Sequence, residues 1–288
     1  MTKPFPATGD LSGWARFLGQ GGIPVLNSTQ NTLSRLKLLE DTLLPSELSI
    51  VVLRDPLFTL AIIRYLQEHK NKLRTVDITT IEHALMMLGI EPFFKQFGTE
   101  DVLEEVFSQT HTPRNSVLAV ARRSYVASRL AQDWAAKSKD FESEELQVAA
   151  LIHDAAEMLL WMKAPAHAFL IKKKMQEQPQ LRSAEAQLQV LGLSLVDVEV
   201  EMGKAWGLPE VLVSLLLGRD KTQRMTTVSL AVRLARHCAT SWANPALPDD
   251  WTDIASHMGY GDATQAQASI QPYVESLMDT WDTLNAAP

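Results

Sequence analysis

The chain has 288 residues, with 27 Lys and Arg against 34 Asp and Glu for a formal net charge of −7. Hydrophobic residues make up 46%, enough for a packed core, and 13 Gly with 14 Pro fit neither a disordered nor a collagen-like chain. The acidic balance argues against binding along a nucleic-acid backbone, and the single cysteine, Cys238, excludes an internal disulfide or a Cys-rich zinc site.

Residues 1–22 read as a lead punctuated by Gly and Pro, with a short helix around Trp14–Leu18. Trp14, in this polar setting, is expected to be exposed as an anchor for a partner. Leu33, Leu36, Leu39, Leu43 and Leu44 predict the first firm amphipathic helix. Ser46 is the expected N-cap of the next helix, with Glu47 in its first turn. Asp55-Pro56 opens another, because Asp suits the cap and Pro the first helical position. Thr79-x-x-Glu82 reads as a capping box, and Gly89 ends the helix it starts.

Pro113 precedes a long helix from about Arg114 to Lys137, and Ser143-Glu144-Glu145 opens one helix running through Trp161. Ser194-x-x-Asp197 starts a helix that stops at Gly207-Leu208-Pro209. Further helices fill residues 209–243 and 251–284, separated by the Asn244–Asp250 loop. Strand-like alternation is nearly absent, so the expected fold is all-α with about twelve helices. Lys172-Lys173-Lys174 reads as a solvated helix face, and the Trp and Met residues other than Trp14 mostly as core. No run approaches the roughly 20 apolar residues that span a bilayer. The first residues hold no apolar stretch of signal-peptide length, so a cytoplasmic protein without membrane insertion is expected.

Phosphate loops of the G-x-x-x-x-G-K-[ST] type, G-x-G-x-x-G turns and G-x-S-x-G nucleophile elbows are all missing. His237 and Cys238 are neighbours, but adjacent helical residues point about 100° apart and cannot pair as base and nucleophile. The informative stretch is Leu151-Ile152-His153-Asp154-Ala155-Ala156-Glu157, which places an adjacent His and Asp in an apolar helix. A buried carboxylate needs a metal, a cation or several hydrogen bonds. The residues themselves leave two readings open: metal ligands, or a hydrogen-bonded core His beside a charge-paired Asp.

In order along the chain stand Ile23-Pro24-Val25-Leu26, Arg54-Asp55-Pro56-Leu57, Ile78-x-x-Ile81-x-x-Ala84-x-x-x-Leu88-Gly89, Leu151-x-His153-Asp154, and Leu191-Gly192 through Trp206-x-Leu208-Pro209. This series resembles the HDOD family, the HD-related output domain of bacterial signalling proteins, over roughly residues 23–240. The resemblance implies two helical lobes, one to about residue 110 and an HD-like one after it, forming a groove, with residues 241–288 as a packed C-terminal extension.

Catalytic HD phosphohydrolases hold metal with an H…HD…D set. Aligned by context, the first His position here is Arg123 and the last Asp position is Arg236, and only His153 and Asp154 match. Where many relatives carry a His pair after W-x-L-P, this chain has Gly218-Arg219-Asp220. The resemblance therefore implies a degenerate metal site of Arg123, His153, Asp154 and Arg236, without catalytic residues, metal or other cofactor. The expected function is a non-catalytic signalling module that binds an unknown signalling protein or small ligand. The alternative is a metal-dependent phosphohydrolase of nucleotides or cyclic dinucleotides. A third reading has Arg122, Arg123, Arg233 and Arg236 binding an anion together. Against it stands the plainer possibility that they line solvated faces of two separate helices.

Overall fold

The structure is a computed structural model that describes residues 5–69, 79–178, 180–218 and 222–286. Ile78, Arg219 and Asp220, which the motif reading used, lie outside these residues. The helices are α1 (Leu11–Gly19), α2 (Asn27–Lys37), α3 (Pro45–Val52), α4 (Pro56–Glu68), α5 (Ile81–Leu88), α6 (Ile90–Phe97), α7 (Leu103–Val106), α8 (His111–Lys137) and α9 (Ser143–Ile152). They continue as α10 (Ala155–Lys163), α11 (Pro165–Glu177), α12 (Ser183–Leu191), α13 (Leu195–Trp206), α14 (Glu210–Leu217), α15 (Gln223–Cys238), α16 (Leu247–Met258) and α17 (Ala263–Asn285). Among the described residues the only β pairing is an isolated bridge between Val25 and Val102.

The all-α class holds, with more and shorter helices than the periodicity suggested. The leucine-rich helix ends at Lys37, and Leu39 and Leu44 are exposed beyond it. Helix α3 starts at Pro45 with Leu44 at the cap position, so Ser46 lies in the first turn; the Glu47 carboxylate accepts from the Leu44 N–H. Thr80, not Thr79, caps α5. Glu144 reaches across to accept from the Ile81 N–H at 2.6 Å, which puts a carboxylate at the positive end of that helix.

The Asp55-Pro56 signal is realised in full. Asp55 is completely buried, and its Oδ1 accepts from the N–H groups of Leu57 and Phe58 at 2.9 and 3.1 Å. Its Oδ2 accepts from the Leu26 N–H at 2.8 Å. One side chain thus caps α4 and fastens the Ile23–Leu26 segment beside it. Burial pushes the Asp55 carboxyl up to about 6 despite these three backbone hydrogen bonds and a fourth from the Thr29 side chain.

Trp14 is the main correction in the lead: it is 1% exposed and belongs to the core. Its Nε1–H donates to the Ala7 carbonyl at 3.2 Å, and its ring meets His167 and Phe17 edge-on. Helix α1 packs on α13 and α10. Its C-terminal carbonyls are held by two cations: Arg64 donates to Gly19 and Gly21, and Lys163 to Leu18 and Gln20. Positive charge is favourable at that end of a helix. Gly192 explains its own place in the Leu-Gly motif. At φ +72° it passes so close to the lead that an added Cβ would lie 2.8 Å from the Gly9 nitrogen.

The long helix α8 is the centre of the second half, packed against α9, α10, α15 and α17. The Ser143–Trp161 helix expected from its apolar pattern is broken into α9 and α10, and the break falls on His153 and Asp154. Trp134, Trp161 and Trp251 are buried, while Trp206 and Trp242 are half-buried against the core.

Candidate functional site

The break between α9 and α10 turns the Asp154 side chain inward, toward residues of α8 and α15. Arg123, from α8, donates its Nε–H to Asp154 Oδ2 at 2.7 Å and its Nη2–H to Glu157 Oε2 at 2.5 Å. Arg236, from α15, donates its Nη2–H to Asp154 Oδ1 at 2.6 Å. The same oxygen lies 3.2 Å from His153 Nδ1. The structure therefore brings Arg123, His153, Asp154 and Arg236 into one cluster, with a guanidinium on each carboxylate oxygen.

Asp154 is 6% exposed. Burial alone would raise its pKa, but Arg123, Arg236 and His153 outweigh that effect and hold the carboxyl well below its usual range. The same pairing runs in reverse for Arg123: burial opposes its charge, and Asp154 and Glu157 more than restore it. Glu199 of α13 completes the cluster at its buried side, accepting from the Ala155 N–H at 3.3 Å. Burial first, and the Asp154 charge second, raise its pKa well above the ordinary value, so it is held toward the neutral acid. Two cations then face two anions, Asp154 and Glu157, with Glu199 withdrawn from the charge balance.

The HD resemblance implies a metal, and the residues present do not fit one. Arginine stays protonated and offers no lone pair, so Arg123 and Arg236 cannot ligate and would repel a cation. Both Asp154 oxygens already accept from guanidinium groups. A catalytic zinc-type site uses three protein ligands. Among the described residues no group of three or more His, Cys, Asp or Glu side chains is placed to hold an ion.

Beside the cluster opens a cavity of about 490 Å³, lined by residues of α8, α10, α11, α12, α13, α15 and α17 and of the turn after α15. It lies inside the HD-like half, and among the described residues none before Ser116 lines it. Arg122, Arg123 and Arg236 all border it. Arg122 is meanwhile bidentate to Asp282, with contacts of 2.8 and 2.7 Å. Arg233, grouped with these three in the anion-binding reading, does not line the cavity. It turns to Asp250 at 2.7 Å and Asp253 at 2.9 Å. His237 Nδ1 lies 2.5 Å from the same Asp250, so His237 faces a carboxylate and not its neighbour Cys238. Cys238 is buried, and burial pushes its thiol up to about 12.

Glu157, Glu199 and the cavity wall were missing from the expected site. Glu157 stands three residues after Asp154, one helical turn on, a spacing that could have flagged it. Glu199 stands among Asp197 and Glu201 in a run alternating with Val, so nothing in the sequence singled it out as the buried one.

The HDOD domain family matches residues 25–221. In fold, the chain is similar to the MmoQ response regulator of Methylococcus capsulatus strain Bath, with a TM-score of 0.63 at 16% identity over 86% of this chain and 98% of that one. It is similar to a virulence factor of Campylobacter jejuni, with a TM-score of 0.64 at 14% identity over 93% and 99% of the two chains. An HDOD domain protein of unknown function from Geobacter sulfurreducens gives a TM-score of 0.51 at 17% identity over 95% and 97%. No curated protein matches the sequence. None of the described helices is long and apolar enough to cross a membrane.

Proposed function

The chain belongs to the HDOD family, and we propose that it is a non-catalytic regulatory module of bacterial signal transduction that works by binding a protein or small ligand. One observation carries this reading: Arg123 and Arg236 engage both oxygens of the only HD carboxylate, where hydrolytic relatives hold their ion. The arginines do for the fold what a metal does elsewhere, neutralising a buried charge and joining α8, the α9–α10 junction and α15. They also remove the Lewis acid that phosphoester hydrolysis on an HD site requires. The likeness in fold to a response regulator supports a signalling setting.

The test is turnover by purified protein with Mn²⁺ against a panel of nucleotides and cyclic dinucleotides. The proposal expects no hydrolysis above the level of an Asp154→Asn control. Hydrolysis that the substitution abolishes would establish the phosphohydrolase reading instead.

A further inference from the structure

We infer that the cavity beside the arginine cluster is a binding site for an amphipathic organic anion: an apolar or aromatic body carrying one carboxylate or phosphate head. The inference rests on the non-catalytic reading, since it treats the space beside Asp154 as a recognition site. Three features carry it. The volume of about 490 Å³ lies within the range of small-molecule sites. The walls are mainly apolar, with Val120, Leu160, Trp161, Ile171, Met175 and Met278 among them. The charged lining is one-sided, with Arg122, Arg123, Lys172 and Arg236 against Glu157 alone.

The state of these cations decides what they can still do. Arg123 is spent on Asp154 and Glu157, and Arg122 on Asp282. Arg236 gives Asp154 one hydrogen bond through Nη2, and its buried Nε has no partner. Lys172 has no carboxylate partner among the described residues; its ammonium stands 5.9 Å from the centre of the Trp161 ring. An ammonium with no carboxylate partner among the described residues and an under-used guanidinium thus border one apolar space. A neutral ligand would leave the Lys172 ammonium with the Trp161 ring alone and the Arg236 Nε without an acceptor. A polyphosphate would exceed what one lysine and half an arginine can balance. A single anionic head on an apolar body satisfies the donors and fills the walls, and an aromatic body can lie against Trp161.

The experiment is calorimetric titration of the full chain with 1-naphthyl phosphate, 1-naphthoate, neutral 1-naphthol and inorganic phosphate. At least one naphthyl anion should bind saturably, about tenfold or more tighter than naphthol, and inorganic phosphate should bind far more weakly. Whichever anion binds more tightly identifies the head group. Lys172→Met should weaken the anion several-fold and leave naphthol unchanged. Ala119→Trp, at an exposed helical position on the cavity lining, should abolish binding of both without touching an ion pair. Circular dichroism confirms that each variant is folded. Absence of saturable anion binding, equal binding of anion and naphthol, or binding unchanged by Ala119→Trp overturns the inference. None of these results bears on turnover, so the site can fail while the non-catalytic reading stands.

Discussion

Asp55 and Asp154 are both buried carboxylates at the start of a helix, one in each half of the molecule, and they are satisfied by opposite means. Asp55 receives only neutral dipoles, the N–H groups of Leu26, Leu57 and Phe58 and the Thr29 side chain, and its carboxyl is pushed up to about 6. Asp154 receives two guanidiniums and is held well below the usual range. Dipoles can place a carboxylate in the interior without fully offsetting the lost hydration; full charges can stabilise it as an anion. The first arrangement serves the fold, capping a helix and clamping an entry segment. The second joins α8, the α9–α10 junction and α15, and on the proposed reading stands in for an ion.

Removing the ion-paired carboxylate should have the largest effect. Asp154→Ala leaves Arg123 buried and unpaired on that side, and the expected loss is about 3–5 kcal/mol in urea unfolding. Arg236 is one-third exposed and can rehydrate, which favours the lower end. A loss below about 1 kcal/mol would mean that the cluster contributes little, whatever its geometry.

The opposite pKa shifts give opposite pH dependences. Asp55 has a raised folded pKa, so between about 4 and 6 the folded state binds the extra proton and stability falls as pH rises, by up to about 3 kcal/mol. Glu199 adds a slope of the same sign. Asp154 has a lowered folded pKa; its contribution is present above the ordinary carboxylate range and is lost as pH falls through and below it. Carbon NMR of the Asp carboxyls should show Asp55 titrating near 6 and Asp154 still ionised well into the acid range. Coincident titrations would erase the distinction.

Asp55→Ala should cost about 2 kcal/mol at pH 5, through the lost cap and the stranded Leu26 N–H, and should flatten the slope between pH 4 and 6. The smallest effect belongs to Arg122→Met. Its partner Asp282 is more than half exposed, so the loss should stay below about 1 kcal/mol even though the pair is bidentate. An effect matching that of Asp154→Ala would show that burial is not what separates these pairs.

The all-helical class and the Asp55-Pro56 cap were legible because both are local: a 3.6-residue apolar period, and a cap acting on the next two residues. The break at His153–Asp154 was not legible. No Gly or Pro marks it, and the apolar pattern runs through it, while the residues that engage Asp154 come from 31 and 82 positions away. Trp14 misled for the same reason. Its Gly- and Pro-rich surroundings resemble a solvated lead, yet α1 docks on α13 and α10 through contacts 145 to 189 residues distant in sequence, such as Lys163 to Leu18 and Ser12 to Glu201. Of the site, the substituted positions Arg123 and Arg236 could be named from the motif order. Glu199, Arg233's turn toward Asp250 and the cavity wall depended on how helices cross.

The central claim is that two arginines stand where an ion would be held. It is tested most directly by Mn²⁺ titration, followed by electron paramagnetic resonance, on the wild-type chain and on Arg123→His/Arg236→Asp. The wild type should show no saturable Mn²⁺ binding, and the double variant should gain binding of about one ion per chain. Stoichiometric Mn²⁺ on the wild type, lost on Asp154→Asn, would contradict it.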